Sequence, residues 1–392
     1  MDEALIERLR SHLNHPKEKI TLQIVEKTLT PKDIYFKKGI EALKKGEVAT
    51  VVLAGGMGTR LKFPYPKGLY PISSVRKKTL FQLIAEKTLA ASKAYGKELP
   101  LAFMTSHQNH DETIAYFKEH ADFGIHPLFF TQEDLPLLDK SGNPIKHGVD
   151  YVKGPDGNGR MFEHLMKASI LEKWEKQGIK YINVILIDNP LADPFDPILI
   201  GALIETKDEV IFKAVKKETP DEKTGTFVKA NGRLKVVEYT EMEESEKSLH
   251  PYASISLFAV TLPFAKKIAA AVFPLHVALK PALPSSKDPD SFKFETFIFD
   301  LLDFSEIADI LIYSREEAFA PLKNSIGNDS PTSVGRALEN LDRRVLSQIT
   351  GHRITNQPLE LDAQFHYPTK QLIERWKNRE VDPFLHYIHE DQ

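Results

Sequence analysis

The stretch VATVVLAGGMGTRLKFPYPKGLYPI, residues 48–72, decides the fold. An apolar run of β-type residues reads as a buried strand and breaks into Gly55, Gly56 and Gly58, three glycines within four positions. In an open α/β sheet, ligands bind beyond the carboxyl ends of strands, and glycines there let backbone amides approach an anion closely. Arg60 and Lys67 follow in the same loop, where positive charge neutralises phosphate oxygens that amides alone do not balance. Such a loop suits a triphosphate, although a glycine-rich turn with solvated cations has the same composition.

Working outward, amphipathic spacing in ALIERLRSHL and IYFKKGIEALKKG predicts helices before this strand, an N-terminal helical segment over residues 1–46. After it the pattern alternates: strand VATVVLAG, helix LFQLIAEKTLAASKAYG, strand LPLAFMT, helix HDETIAYFKEHADF, strand PLFFTQ, helix FEHLMKASILEKWEKQG, strand INVILIDN and helix PILIGALIETKD. Strands rich in Val, Ile and Leu between helices predict an α/β fold with a mostly parallel sheet covered on both faces. From EVIFKAVKKE the chain turns to strands, and Asn231-Gly232 inside GTFVKANGRLKVVEYTE predicts a hairpin. PALPSSKDPDS reads as a surface loop, FKFETFIFDLLDF as helical, and ADILIYSR as a further strand. The main α/β domain is expected over 47–340 and a small C-terminal appendage over 341–392, ending in the helix-like KQLIERWKNREV.

Composition narrows the chemistry. A formal net charge of -3 leaves no basic excess for a nucleic-acid partner, and 42% hydrophobic residues over 392 positions support a sizeable core. No apolar run is long enough to span a bilayer, and the charged start MDEALIERLRSHLNH is unlike a signal peptide, so a cytoplasmic location is expected. The absence of cysteine excludes disulfides, thiolate catalysis and zinc–thiolate sites, leaving oxygen or histidine nitrogen to hold any metal. Two familiar phosphate loops fail: no P-loop string occurs, and the dinucleotide fingerprint matches Gly56 and Gly58 but has Leu61 at its third position.

LAGGMGTR followed by PYPKG resembles the signature loop of the eukaryotic-type UDP-sugar pyrophosphorylases, the family of UDP-N-acetylglucosamine and UDP-glucose pyrophosphorylases. KTLFQ, FFTQED, GPDGNGR, VILIDNPLADP, GTFVKANGRLKVVEYTE, FETFIFDLL and EEAFAPLKN follow in the order typical of its N-acetylglucosamine branch, from about residue 35 to 340. The resemblance implies a nucleotide-diphospho-sugar transferase core, a Rossmann-like mixed sheet, and a uridylyltransferase that joins UTP and a sugar 1-phosphate with release of pyrophosphate. N-acetylglucosamine 1-phosphate is the preferred acceptor and glucose 1-phosphate the alternative; a binding protein without turnover and a dehydrogenase are the readings from other classes. The partners implied are UTP and the sugar phosphate, with Mg²⁺ as cofactor. The oligomeric state is open, a monomer being favoured.

Residue by residue, the resemblance assigns Arg60, Lys67 and Lys323 to charge neutralisation in catalysis. Leu53, Ala54, Gly55, Gly56, Gly58 and Thr59 surround the nucleotide, Gln132 reads uracil through its donor and acceptor edge, and Gly157 and Asn158 approach the base or ribose. Asp188, at the end of the apolar run INVILID, is implied as the Mg²⁺ ligand, although Asp-Asn-Pro is also good turn chemistry. Gly225, Glu238, Ser254, Phe297 and Phe299 are implied around the sugar. Ser254 stands where the family has an asparagine pair, and Lys62 where it commonly has glycine.

Overall fold

The structure, a computed structural model, describes residues 3–13, 21–282 and 290–392. Helix α1 (Glu3–Leu13) lays Ile6 and Leu9 on Leu135, Leu138 and Phe294. Helix α2 (Asp33–Lys45) ends at Gly46 in the left-handed region, φ 71°, and turns the chain into β1 (Val48–Leu53). Helix α3 (Leu80–Tyr95) starts at Thr79, whose hydroxyl oxygen accepts the Gln82 N–H at 3.0 Å. Then follow β2 (Leu101–Thr105), α4 (His110–Glu119), β3 (Leu128–Thr131), α5 (Met161–Lys167), α6 (Ile170–Lys176), β4 (Tyr181–Leu186) and α7 (Pro197–Thr206). The second half holds β5 (Val210–Lys216), β6 (Thr226–Ala230), β7 (Arg233–Val237), β8 (Tyr252–Thr261), α8 (Leu262–Ala269), β9 (Ala308–Ile312), α9 (Pro331–Thr350) and α10 (Lys370–Trp376).

Among the described residues these strands form one nine-stranded sheet, running β3-β2-β1-β4-β8-β5-β9, with the β6–β7 hairpin joined to the start of β8. β3, β2, β1 and β4 are parallel, β8 is antiparallel to both β4 and β5, and β9 is parallel to β5. Every residue of β1 is buried because alternate side chains feed opposite faces. Ala49, Val51 and Leu53 join a core with Met161, Phe162 and Trp174 from α5 and α6, while Val52 joins Phe81 and Phe117 from α3 and α4. The chain runs outward from β1 to β2 and β3, then returns to the other side of β1 as β4. That reversal opens a crevice at the carboxyl ends of β1 and β4, where Leu53 pairs with Leu186.

The α/β sheet, the four strands that alternate with helices along the first half of the chain and the Asn231-Gly232 hairpin, with φ 51° and 77°, agree with the sequence reading. Two elements differ. FEHLMKASILEKWEKQG is not one helix: Ser169, at φ 58°, breaks it into α5 and α6. FKFETFIFDLLDF is not helical at its start. Ser291–Glu295 pairs antiparallel with His276–Lys280, so a cross-strand partner overrides the local spacing, and the chain enters a 3₁₀ turn only at Ile298–Phe304. Of the expected surface loop, residues 283–289 lie outside the described residues. The last residues of α9 gather Leu359, Leu361, Phe365, Leu372 and Trp376 into a small core of their own. Glu360 fastens it to the main body by accepting the Val75 and Arg76 N–H groups at 3.0 and 2.8 Å.

A buried ionic knot lies beneath the sheet. Asp196 caps α7, accepting from the Ile198 and Leu199 N–H groups, and also takes Lys213 at 2.5 Å and the Tyr313 hydroxyl at 2.7 Å. Burial pushes its carboxyl upward, but Lys213 and these hydrogen bonds outweigh it and hold the group below the usual carboxylate range. Breaking such a pair leaves an uncompensated buried charge, so Lys213→Met is expected to lower the unfolding free energy in urea by about 3–5 kcal/mol, and Asp196→Asn in the same chain to restore part of it. Asp208 is the opposite case. Burial and the neighbouring Asp309 push its carboxyl up to about 6, and its Oδ2 has no hydrogen-bond partner. A raised carboxyl binds its proton in the native state before the unfolded chain does, so its contribution is most favourable below pH 4 and is lost as pH rises through 6. Allowing for partial solvent screening, Asp208→Asn should raise stability by roughly 1 kcal/mol at pH 7.5 and by nothing near pH 4, as read by denaturation at the two pH values.

Candidate active site

The crevice between β1 and β4 is furnished first by the glycine loop. Its turns close on themselves: the Gly58 N–H donates to Tyr65 O at 3.1 Å, the Phe63 N–H to Gly58 O at 3.1 Å, and the Lys67 N–H to Gly56 O at 3.1 Å. Asn109, at the start of α4 and buried, clamps the loop by donating from Nδ2 to Ala54 O at 2.9 Å while its Oδ1 accepts the Ser106 N–H at 2.8 Å. A Cβ on Gly55 would come within 3.1 Å of Gln132 Nε2, so glycine is what lets the Gln132 amide lie against the loop. That amide is buried and makes no side-chain hydrogen bond among the described residues. An amide at the end of a strand, not sealed from the crevice and with both donor and acceptor edges unused, is equipped to read a planar polar ring.

Opposite the loop, Asp188 follows β4 by two residues, and its Oδ2 lies 3.4 Å from Lys67 Nζ. Both side chains are shielded, 16% and 12% exposed. The same corner captures a distant segment. Asp188 O accepts the Leu322 N–H at 2.7 Å, Asn189 Nδ2 donates to Ala318 O at 2.7 Å, and Asn189 Oδ1 accepts the Ala320 N–H at 3.1 Å. Lys323 therefore comes from the chain just beyond β9 of this same sheet. Its N–H donates to Asp329 O at 2.8 Å and its Nζ lies 5.6 Å from the centre of the Phe319 ring. Burial raises the Asp329 carboxyl, with Lys323 opposing and Asp188 adding to the rise, so Lys323, Asp188 and Asp329 share one field.

The strand Asp134–Pro136 pairs with Lys153–Pro155, and this brings FFTQED beside GPDGNGR. Gly157 is left-handed, φ 86°, and a Cβ there would meet Thr296 O at 2.2 Å. The glycine is thus required by packing on the 296–298 backbone. Asn158 is partly committed as well, since its Oδ1 accepts the Ile298 N–H at 2.9 Å and only its Nδ2 is left for a ligand. Behind the turn, buried Asp156 accepts from Arg160 Nη1 and His164 Nε2, each at 3.1 Å, and anchors the loop to α5.

Gly225, Glu238 and Ser254 meet where the β6–β7 hairpin joins β8. Gly225 O accepts the Ser254 N–H at 2.8 Å, and a Cβ on Gly225 would lie 3.7 Å from Glu238 Oε1 and 3.8 Å from Ser254 Cβ. Glu238 is just past β7, not within a strand. Burial raises its carboxyl, with Glu241 adding to the rise and His276 and Lys323 opposing it. Phe297 and Phe299 are half-buried, 5.2 Å apart between ring centres, and extend from the 3₁₀ turn instead of filling a helix-packed core. Thr59 and Arg60 occupy an exposed 3₁₀ turn, Thr59–Leu61, and make no ion pair or side-chain hydrogen bond among the described residues. Lys62 closes that turn at φ 56°, a left-handed position that glycine adopts without strain.

The structure thus unites the glycine loop with Gln132, Lys67 with Asp188, the Lys323 segment with Asp188, Asn158 with the Phe297 turn, and Gly225 with Glu238 and Ser254. Leu53 and Ala54 are buried at the root of the loop. Sequence reasoning missed Asn109 and Asn189. Asn189 was legible beside Asp188, whereas nothing local marks Asn109 as a clamp on a loop 53 residues earlier.

A family model described as UTP–glucose-1-phosphate uridylyltransferase matches residues 6–261. UDP-N-acetylglucosamine diphosphorylase 2 of Arabidopsis thaliana is 33% identical over 86% of this chain and 73% of its own length. UDP-N-acetylglucosamine pyrophosphorylase of Saccharomyces cerevisiae is 33% identical over 76% of this chain and 69% of its own. The crystal structure of the uridine diphosphate N-acetylglucosamine pyrophosphorylase from Trypanosoma brucei, in complex with an inhibitor, superposes with a TM-score of 0.82 at 26% identity, covering 98% of this chain and 88% of that one. With the crevice, the loop and these likenesses in agreement, the chain belongs to the UTP–glucose-1-phosphate uridylyltransferase family.

Proposed function

We infer that this protein transfers the uridylyl group of UTP to N-acetylglucosamine 1-phosphate, giving UDP-N-acetylglucosamine and pyrophosphate. The observation that carries the reading is the shielded Lys67–Asp188 pair at the β1–β4 crevice, with the Lys323 segment hung on the Asp188 backbone. The relatives named for N-acetylglucosamine support the choice of acceptor. An oxygen of the sugar phosphate forms the new bond to the α-phosphorus in line with the breaking bond to pyrophosphate, so no protein nucleophile is called for. Catalysis then rests on positioning and on neutralising charge that builds on the leaving group. Lys67 and Lys323 supply that charge from two sides, with Arg60 free to close from the rim. The amides of Gly55 and Gly56 face the phosphates, Gly58, its N–H committed to Tyr65 O, shapes the loop, Gln132 pairs with uracil, Asn158 offers its Nδ2 to the nucleoside, and Glu238 and Ser254 accept sugar hydroxyls.

Mg²⁺ fits this donor set as a shared ion. Among the described residues no group of three metal-binding side chains occurs, and magnesium is commonly held by one or two carboxylates together with substrate phosphates. Asp188 would hold it, giving up part of its contact with Lys67, and the ion when bound neutralises phosphate oxygens. We place the reaction in the cytoplasm; no helix among the described residues is long and apolar enough to cross a membrane.

The direct test is release of pyrophosphate from UTP and Mg²⁺ with N-acetylglucosamine 1-phosphate or glucose 1-phosphate. We expect turnover with both substrates in the mixture and a higher kcat/KM for the acetamido sugar; preference for glucose 1-phosphate reassigns the acceptor, and silence with both overturns the reading. Lys67→Ala is expected to lower kcat by about 100-fold, close to 3 kcal/mol of lost transition-state stabilisation, with an unfolding midpoint near that of the parent. A folded variant turning over at the parent rate would remove Lys67 from the mechanism.

A further inference from the structure

A half-buried imidazole stands beside Phe297 and Phe299 without an assigned role. His276 opens the strand His276–Lys280 and donates from Nε2 to Asp300 Oδ2 at 2.8 Å. Its ring centre lies 4.4 Å from that of Phe297 and 6.4 Å from that of Phe299. Three rings therefore form one wall, with a single polar member. The contact to the Asp300 carboxylate, an acceptor, fixes the neutral imidazole as its Nε2–H tautomer and leaves Nδ1 with its lone pair. Nδ1 has no hydrogen-bond partner among the described residues. It is not sealed off either, being absent from the buried atoms that lack one. The 3₁₀ turn that carries Asp300 is tied to β7, the strand leading into Glu238: Arg233 Nη1 donates to Asp303 O at 2.7 Å and Lys235 Nζ lies 2.8 Å from Asp303 Oδ1.

Resting on the reading of an acetamido-sugar acceptor, we propose that His276, held in one tautomer by Asp300, is the polar specificity element of the sugar pocket. Its Nδ1 accepts the N–H of the 2-acetamido group while the acetyl methyl packs on Phe297 and Phe299. A methyl against two phenyl rings and an amide N–H against a fixed acceptor match the two halves of that substituent. A 2-hydroxyl leaves the phenyl rings uncovered and, with no methyl to seat it there, has no fixed orientation toward Nδ1. Asp300 touches no substrate in this scheme and acts through the imidazole, so it is a positioning residue. A site built around a polar contact penalises loss of that contact more than loss of a methylene, which gives a variant series its resolving power.

The experiment is steady-state kinetics of the full chain with UTP, Mg²⁺ and either sugar 1-phosphate, for the parent and for His276→Phe, His276→Asn and Asp300→Ala. His276→Phe keeps a ring in the wall and removes the acceptor. It is expected to raise KM for N-acetylglucosamine 1-phosphate about tenfold, to leave KM for UTP within twofold, and to shrink the preference over glucose 1-phosphate by a similar factor. His276→Asn puts an amide oxygen near the place of Nδ1 and should recover most of that loss. Asp300→Ala frees the tautomer and should reproduce the KM effect more weakly, with kcat within threefold. Equal loss for both sugars, or a KM for UTP rising in step, marks a merely structural role and overturns the proposal. Unchanged selectivity in His276→Phe, with the parent active, overturns the proposal while the function stands; a parent inactive with both sugars overturns the two together.

Discussion

The site depends on β1 and β4 being parallel neighbours in register, so that Leu53 and Leu186 end side by side. Two strands distant in sequence release their chains into one crevice, one as a glycine loop and the other as Asp188. The Ile187 N–H donates to Leu53 O at 3.1 Å and carries the pairing one residue past the strand end, which sets how far apart the loop and the carboxylate can be. Burial of β1 on both faces makes that register costly to change, because a one-residue slip would exchange the side chains feeding the two cores.

Around this corner, charge is kept in pairs that a polyanion can divide. Lys67 is matched by Asp188, and Lys323 lies in the field of Asp329 and Glu238, whose carboxyls burial has raised. Cations held in this way are already oriented and partly stripped of water, the arrangement by which a preorganised site stabilises charge at little cost of rearrangement. The buried Asp196–Lys213 pair beneath the sheet has no such partner to receive, and its hydrogen bonds are all spoken for. One kind of ion pair is built to be exchanged and the other to hold.

Much of this was legible in the chain itself. Continuous runs such as VATVVL and INVIL announce strands buried on both faces, and the three glycines after the first mark the place of the crevice. FKFETFIF misled because Phe292, Phe294, Phe297 and Phe299 satisfy a helical spacing as readily as an alternating one until the partner strand His276–Lys280 is known. Gly157 illustrates a different limit. Its glycine looks made for a ligand, yet the backbone of Thr296 occupies the space a side chain would need. Asn109 and His276 were silent because their roles are contacts with residues far along the chain, and a single asparagine or histidine carries no local sign of its partner.

The bonds from Asn189 and Asp188 to the 318–322 backbone have a consequence for chain length. Lys323 is located by a bracket across strand ends, so the contour length of the chain between β8 and β9 does not govern its distance from Lys67. Extra residues between Lys280 and Ser291, at the far end of a peripheral ribbon, add only a slowly growing loop-closure cost. A change of length there would therefore leave the spacing of Lys67 and Lys323 unaltered.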